Sequence, residues 1–150
     1  SAASDVYKRQ LQYGAQVDYV YQNGEGLSGD ITPLMAACLM GSLETINTLI
    51  AHGANVNYKN KSGFTPIIDA SISGRDEKII KALVDAGANI NEVDISGKSA
   101  LGHAIENGWP EIVEALVKYG ATCNMKRLPT IEMHRNKDKM LTILNEVCPQ

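Results

Sequence analysis

The chain has 150 residues, 44% of them hydrophobic and 21% charged, with a formal net charge of −3. That balance supports a globular core and argues against a general nucleic-acid binder, whose electrostatic footprint is basic. No apolar run reaches the roughly 18 residues of a membrane span, and no signal-peptide core is visible.

Regular order is expected from Leu11. Before it, Gln10 stands where later copies carry Leu49, Leu83 or Leu116, four residues ahead of a Gly-Ala pair. Asp5-Val-Tyr-Lys-Arg-Gln10 reads like translated sequencing-adapter sequence. Ser1–Gln10 is therefore expected to be non-native or disordered, with further repeats once preceding Leu11; the alternative is a real, poorly matching N-terminal cap. Residues 11–31 read as the end of a partial unit followed by a long hairpin. In that hairpin, Gly24-Glu-Gly26-Leu-Ser-Gly29 satisfies the G-x-G-x-x-G pattern of dinucleotide sites. The context fails, because the next helix opens later and no second parallel strand follows about 30 residues on.

Residues 32–64 set the pattern for the rest. Thr32 is a good N-cap, and Pro33 takes the first helical position, where its missing N–H costs nothing. Leu34, Ala36, Ala37 and Cys38 make a short helix that Gly41 ends. A second helix runs around Glu44–Ala51, with Ile46, Leu49 and Ile50 on one face. Gly53 stops it, and Asn55-Val56-Asn57 reads as extended chain leading into a turn. Residues 65–98 repeat this grammar with Thr65-Pro66, Gly74, the apolar set Ile79, Ile80, Leu83 and Val84, and Gly87. Residues 99–129 repeat it with Ser99, Gly108, Pro110, the set Ile112, Val113, Leu116 and Val117, and Gly120. Residues 130–150 are degenerate. Met133, Met140, Leu141, Leu144 and Val147 suit a final helix pair, and Lys126, Arg127, Arg135, Lys137 and Lys139 suit a wet outer face.

Gly14-Ala15, Gly53-Ala54, Gly87-Ala88 and Gly120-Ala121 thus recur at intervals of 39, 34 and 33 residues. A period near 33 means stacked copies of one supersecondary unit. Each helix is about two turns long, too short to be stable alone, so stability must come from neighbouring copies.

Thr-Pro-Leu at a helix start and Gly-Ala-Asn-Val-Asn after the second helix resemble the ankyrin repeat over roughly Leu11 to Asn124. The resemblance implies an all-α solenoid of stacked helix-turn-helix units with β-hairpin loops. The family's usual His after Thr-Pro-Leu is replaced by Met35, Ile68 and Gly102, so the bonding associated with it is expected to be lost. Gly102 inside a helix should cost a further ~1 kcal/mol against Ala. Asn57 and Asn91 match the hairpin asparagine that can be hydroxylated in animal members of the family.

Candidate chemistry is sparse. Cys38, Cys123 and Cys148 are odd in number and share no short spacing, which fits neither a disulfide framework nor a zinc site. An intracellular, cytoplasmic location follows as the default. Cys38 falls in a small-residue core slot. His52, His103 and His134 have no Cys or carboxylate at ligand spacing, and His52 is placed to meet the carbonyls ending a helix. Asn60-Lys-Ser62 is a glycosylation sequon read as chance. No nucleophile, base and orienting group come together, so no catalytic residue, cofactor or metal is assigned.

The resemblance implies binding of another protein, with no nucleic acid, membrane or small-molecule substrate. Its surface would be the hairpin tips and the exposed faces of the first helices. Carried onto this chain, that surface is Tyr19, Tyr21, Tyr58, Asn60, Val93 and Ile95 at the tips. On the helices it is Ala36, Leu39 and Met40, then Asp69, Ile72 and Ser73, then His103, Glu106 and Asn107. The alternatives are an ankyrin segment of a larger enzyme, channel or scaffold, and a small nucleotide-binding enzyme using the Gly24–Gly29 loop.

Overall fold

The computed structural model of the chain describes residues 5, 8, 9, 11, 12, 16–20, 30–123 and 136–148. Among these, the helices run in order as α1 (Pro33–Met40), α2 (Leu43–Ala51), α3 (Pro66–Ser73), α4 (Glu77–Asp85), α5 (Ala100–Glu106), α6 (Pro110–Lys118) and α7 (Lys137–Val147). The first helices α1, α3 and α5 pack on one another as an inner row. The second helices α2, α4 and α6 form the outer row, which α7 continues by packing on α6. Leu34, Ile67 and Leu101 from the inner row, and Ile46, Leu49, Ile80, Leu83 and Leu116 from the outer row, are fully buried between layers. Each short helix is thereby covered by the next, as repeats too small to bury their own apolar face require.

Helix starts follow the sequence with one exception. Thr32 Oγ1 accepts from the Met35 N–H at 3.3 Å, and Ser99 Oγ from the Gly102 N–H at 3.2 Å. Thr65 has the extended N-cap backbone, but its side chain makes no cap bond. Its Oγ1 is buried and unpartnered, so the expected Thr65 cap is backbone only. Gly41 and Gly74 end α1 and α3 in the left-handed region, at φ of 74° and 61°. Val56-Asn57 forms a turn where extended chain was expected.

Repeats are fastened by side chains reaching across one period. The Trp109 ring lies over Gly74, where a Cβ would fall 2.3 Å from it, and Trp109 Nε1 donates to the Ile72 carbonyl at 3.0 Å. Arg75 covers Gly41 at the matching position, and Asn136 Nδ2 donates to the Gly108 carbonyl at 2.9 Å. At the hairpin side, Asn57 Nδ2 donates to the Gly87 carbonyl while its Oδ1 accepts from the Asn89 N–H. Asn91 repeats this with the Gly120 carbonyl and the Thr122 N–H. One amide side chain thus bonds a carbonyl and an N–H of the next unit. Asp18 supplies only the accepting half of this tie, its Oδ1 taking the Asn55 N–H at 2.9 Å.

The cysteines correct the sequence expectation. Cys123 and Cys148 are joined as a disulfide across a separation of 25 residues, with Cα atoms 5.5 Å apart. Spacing alone missed it because the partners meet only when α7 lies down on α6. Cys38 is free and buried, in the core slot expected for it. At the other end, Leu11 is buried with the core, and Lys8 pairs with Glu44 at 2.7 Å. Met133, His134 and the basic residues Lys126, Arg127 and Arg135 lie outside the described residues.

Candidate functional site

The inner row and the hairpins carry the large apolar side chains that are exposed among the described residues. Tyr19 is 62% exposed, Met40 73% and Ile95 80%, and Leu39 and Val93 are also exposed. Glu106 and Asn107 are exposed, and Ala36, Tyr58, Ile72 and Ser73 are half-buried. Asn60, Asp69 and His103 are buried. Tyr21 and the Gly24–Gly29 loop lie outside the described residues. Ser73 Oγ donates to the Cys38 carbonyl at 3.0 Å, which ties α3 to α1.

Two of the buried polar residues hold hairpins. Asn60 Oδ1 accepts from the Ser62 and Phe64 N–H groups at 3.0 and 2.9 Å, so the sequon asparagine is spent inside its turn. Asp94 occupies the same place one repeat later. Its Oδ1 accepts from the Ser96 hydroxyl and from the Ser96 and Lys98 N–H groups. Its Oδ2 lies 2.7 Å from His103 Nε2. Burial pushes this carboxyl up, yet the bonds from Ser96, His103 and Lys98 outweigh it and hold the pKa at about 2. Sequence reading gave His103 no carboxylate partner, but the hairpin brings Asp94 to it. That contact also supplies the third repeat with a helix-to-hairpin tie that the absence of His at Gly102 was expected to remove. Ser96 bonds the carboxylate and not the imidazole, so this trio lacks the order of a nucleophile relay.

Asp69 differs from both. It lines a cleft of about 180 Å³ with Met35, Leu39, Asn60, Phe64 and Ile72. Its Oδ2 is buried without a hydrogen-bond partner. Burial raises its pKa to about 7, and no described neighbour offsets it. Cys38 feels the same environment: desolvation, then the Asp69 charge, push its thiol far up and leave it unreactive.

His52 Nδ1 lies 2.8 Å from the Thr48 carbonyl near the end of α2, as its position implied. Among the described residues, no group of three His, Cys, Asp or Glu side chains is placed to hold a metal. No helix among them is long and apolar enough to cross a membrane.

A family model described as ankyrin repeats matches three times, over residues 2–94, 60–127 and 77–140. The chain belongs to the ankyrin-repeat family. Its curated relatives include the ankyrin repeat and KH domain-containing protein mask of Drosophila melanogaster, 37% identical over 97 residues. That match takes in 63% of this chain and 2% of the relative. The ankyrin repeat protein YahD of Escherichia coli is 34% identical over 93 residues, 59% of this chain and 46% of its own. The ankyrin repeat protein nuc-2 of Neurospora crassa is 30% identical over 143 residues, 89% of this chain and 13% of its own. The chain therefore spans less than half the length of each of these relatives. Ankyrin repeats are in general protein-interaction modules, and the all-α stack of short helix pairs is the architecture the Thr-Pro-Leu motif implied.

Sequence reasoning named Leu39, Asn60, Asp69 and Ile72 of the cleft lining but missed Ile31, Met35 and Phe64, as well as the roles of Asp94 and Trp109. A signal for Asp94 was present, since it lies 34 residues after Asn60, one repeat on, with a polar side chain at the same phase. Met35, buried on α1, and Phe64, at a hairpin base, gave none, because they meet only across the repeat boundary.

Proposed function

We propose that this ankyrin domain is a protein-interaction module that holds its partner on the hairpin tips and the exposed face of the first helices, without catalysis of its own. One observation carries the reading. Among the described residues, the exposed large hydrophobic side chains are Tyr19, Leu39, Met40, Val93 and Ile95, all on hairpins or on α1. The outer row and α7 contribute none. Apolar exposure confined to α1 and the hairpins supports an interaction surface there. Aromatic and Met side chains suit its centre, since they bring large contact area and adaptable packing. The acidic net charge speaks against nucleic acid as the partner. Site-specific photo-cross-linking tests the surface. A cross-linker at Met40 or Ile95 should capture the partner, and one at Glu114 on α6 should not. Capture from Glu114 alone would move the site to the outer row.

A second reading, an ankyrin segment working within a larger enzyme, channel or scaffold, is favoured by how little of each relative the chain covers. The relatives include a transient receptor potential cation channel and an E3 ubiquitin-protein ligase, with 8% and 7% of their lengths matched. The intracellular setting proposed from the cysteine count meets a counter-observation in Cys123–Cys148, because structural disulfides persist in oxidising compartments. Alkylation under denaturing conditions decides it. Three blocked thiols per chain from source cells support the intracellular setting, and one supports an oxidising setting.

A further inference from the structure

The cleft between the first two complete repeats is unlike the rest of the inner face. Met35 and Leu39 from α1, Ile72 from α3 and Phe64 from the hairpin give it apolar walls, with Asn60 and Asp69 as its polar members. Asn60 is engaged in its turn. Asp69 is not: it keeps only 5% exposure, its Oδ2 is sealed without a partner, and no side-chain bond to its Oδ1 occurs among the described residues. A buried carboxylate in that state is costly and normally either acquires a cation or takes up a proton.

Among the described residues, the elements packed on α3 supply no such cation, and the Arg75 stem beyond its end lies against Gly41. Cys38 is the titratable group on α1, and His103 on α5 is spent on Asp94. Glu106 pairs with Lys98, and Lys81 on α4 pairs with Asp85. Glu77, Lys78 and the N-cap Asp76 complete the set on α4. At the hairpin, Lys59 pairs with Glu92, while Lys61 points toward Asp30 at 3.8 Å. Burial is the cause that moves Asp69, with no neighbouring charge offsetting it.

We propose that this cleft is an anchor pocket for a lysine side chain of the partner protein, its stem lying against Met35, Leu39, Phe64 and Ile72 and its ammonium meeting the Asp69 carboxylate. The inference rests on the inner-face reading above and adds the chemistry of the group recognised. Lysine fits better than arginine on two counts. Its four-carbon stem matches apolar walls, and its ammonium is a compact point charge. The guanidinium fork needs both carboxylate oxygens in one plane, and here Oδ2 is sealed, which leaves a single edge at the cleft. A lone carboxylate among apolar walls is also a poor metal site, which needs several ligands.

The test uses n-butylammonium, the lysine side chain alone, with n-butanol as its neutral counterpart and n-propylguanidinium as the arginine analogue. The full chain carries methyl labels on Met and Ile, read by NMR at pH 8 and pH 5.5. Butylammonium should shift the Met35 and Ile72 methyl signals saturably at pH 8, at least tenfold more tightly than butanol or propylguanidinium. Its affinity should fall severalfold at pH 5.5, where the carboxyl holds its proton. Asp69→Asn, checked for unchanged thermal unfolding cooperativity, should abolish the preference for the ammonium. Equal binding of butanol, or butylammonium binding that survives in Asp69→Asn, would overturn the cationic anchor. So would silence at Met35 and Ile72 with every probe. The cross-linking experiment at Met40 judges the inner-face surface separately, so loss of the anchor leaves that reading standing.

Discussion

Asp69 on α3 and Asp94 in the hairpin that follows belong to the same unit, residues 65–98; both are buried, and their pKa values move in opposite directions. Asp94 is held at about 2 by the bonds it accepts. Its contribution to stability is present above the ordinary carboxylate range and is lost as pH falls toward 2. Asp69 has a folded pKa of about 7 against an ordinary 3.8. Between those values the folded chain keeps a proton that the unfolded chain has lost. Stability is therefore full below about pH 4 and falls as pH rises toward 7, by up to ~1.4 kcal/mol per pH unit. Asp69→Asn removes the buried charge while keeping the shape. Chemical denaturation should find the variant more stable than the parent at pH 8, by roughly 2 kcal/mol or more, with the gap closing at pH 4. An unchanged pH slope would mean that Asp69 is solvated.

At the scale of the helix, stability is borrowed from neighbours, and substitutions act through the layer they disturb. Leu83 on α4 is fully buried in the outer row. Leu83→Ala should cost ~2–5 kcal/mol, measured by urea unfolding, because the packed rows cannot collapse onto the void. Gly102 shows the converse. Helix propensity alone gives Ala an advantage of ~1 kcal/mol there. A Cβ at Gly102, however, would lie 2.9 Å from Lys98 Cγ, and the Lys98 stem crosses this spot on its way to Glu106. The glycine makes room for that crossing, so the propensity penalty read from sequence overstates what the helix loses. Helix positions and apolar faces were legible because they repeat with a fixed phase. The inter-repeat fasteners were not, since Trp109 over Gly74 and Asn136 on Gly108 join residues from adjoining units that no local pattern pairs.

For the molecule as a whole, the C-terminal end of the stack depends on a covalent tie. The Cys123–Cys148 disulfide closes a separation of 25 residues and holds α7 at the end of the outer row. In the chain-entropy account such a loop contributes about 3.5 kcal/mol. Reduction should lower the melting temperature by several degrees and speed hydrogen exchange in α7 before α1–α4, since repeat arrays come apart from their ends. The Cys123→Ser, Cys148→Ser double variant should match the reduced chain and no longer respond to reductant. A reductant effect that persists in it would place the sensitivity elsewhere.

The repeat period, capping residues and short helices are properties of neighbouring residues, and from them the sequence alone determined the stacked all-α architecture. What depends on atoms brought together from different repeats was decided only by the tertiary structure. Asp94 found His103, Cys123 found Cys148, and Asp69 lost its water without gaining a partner. Periodicity records which way a side chain faces. It carries no information about what the next layer places in front of it.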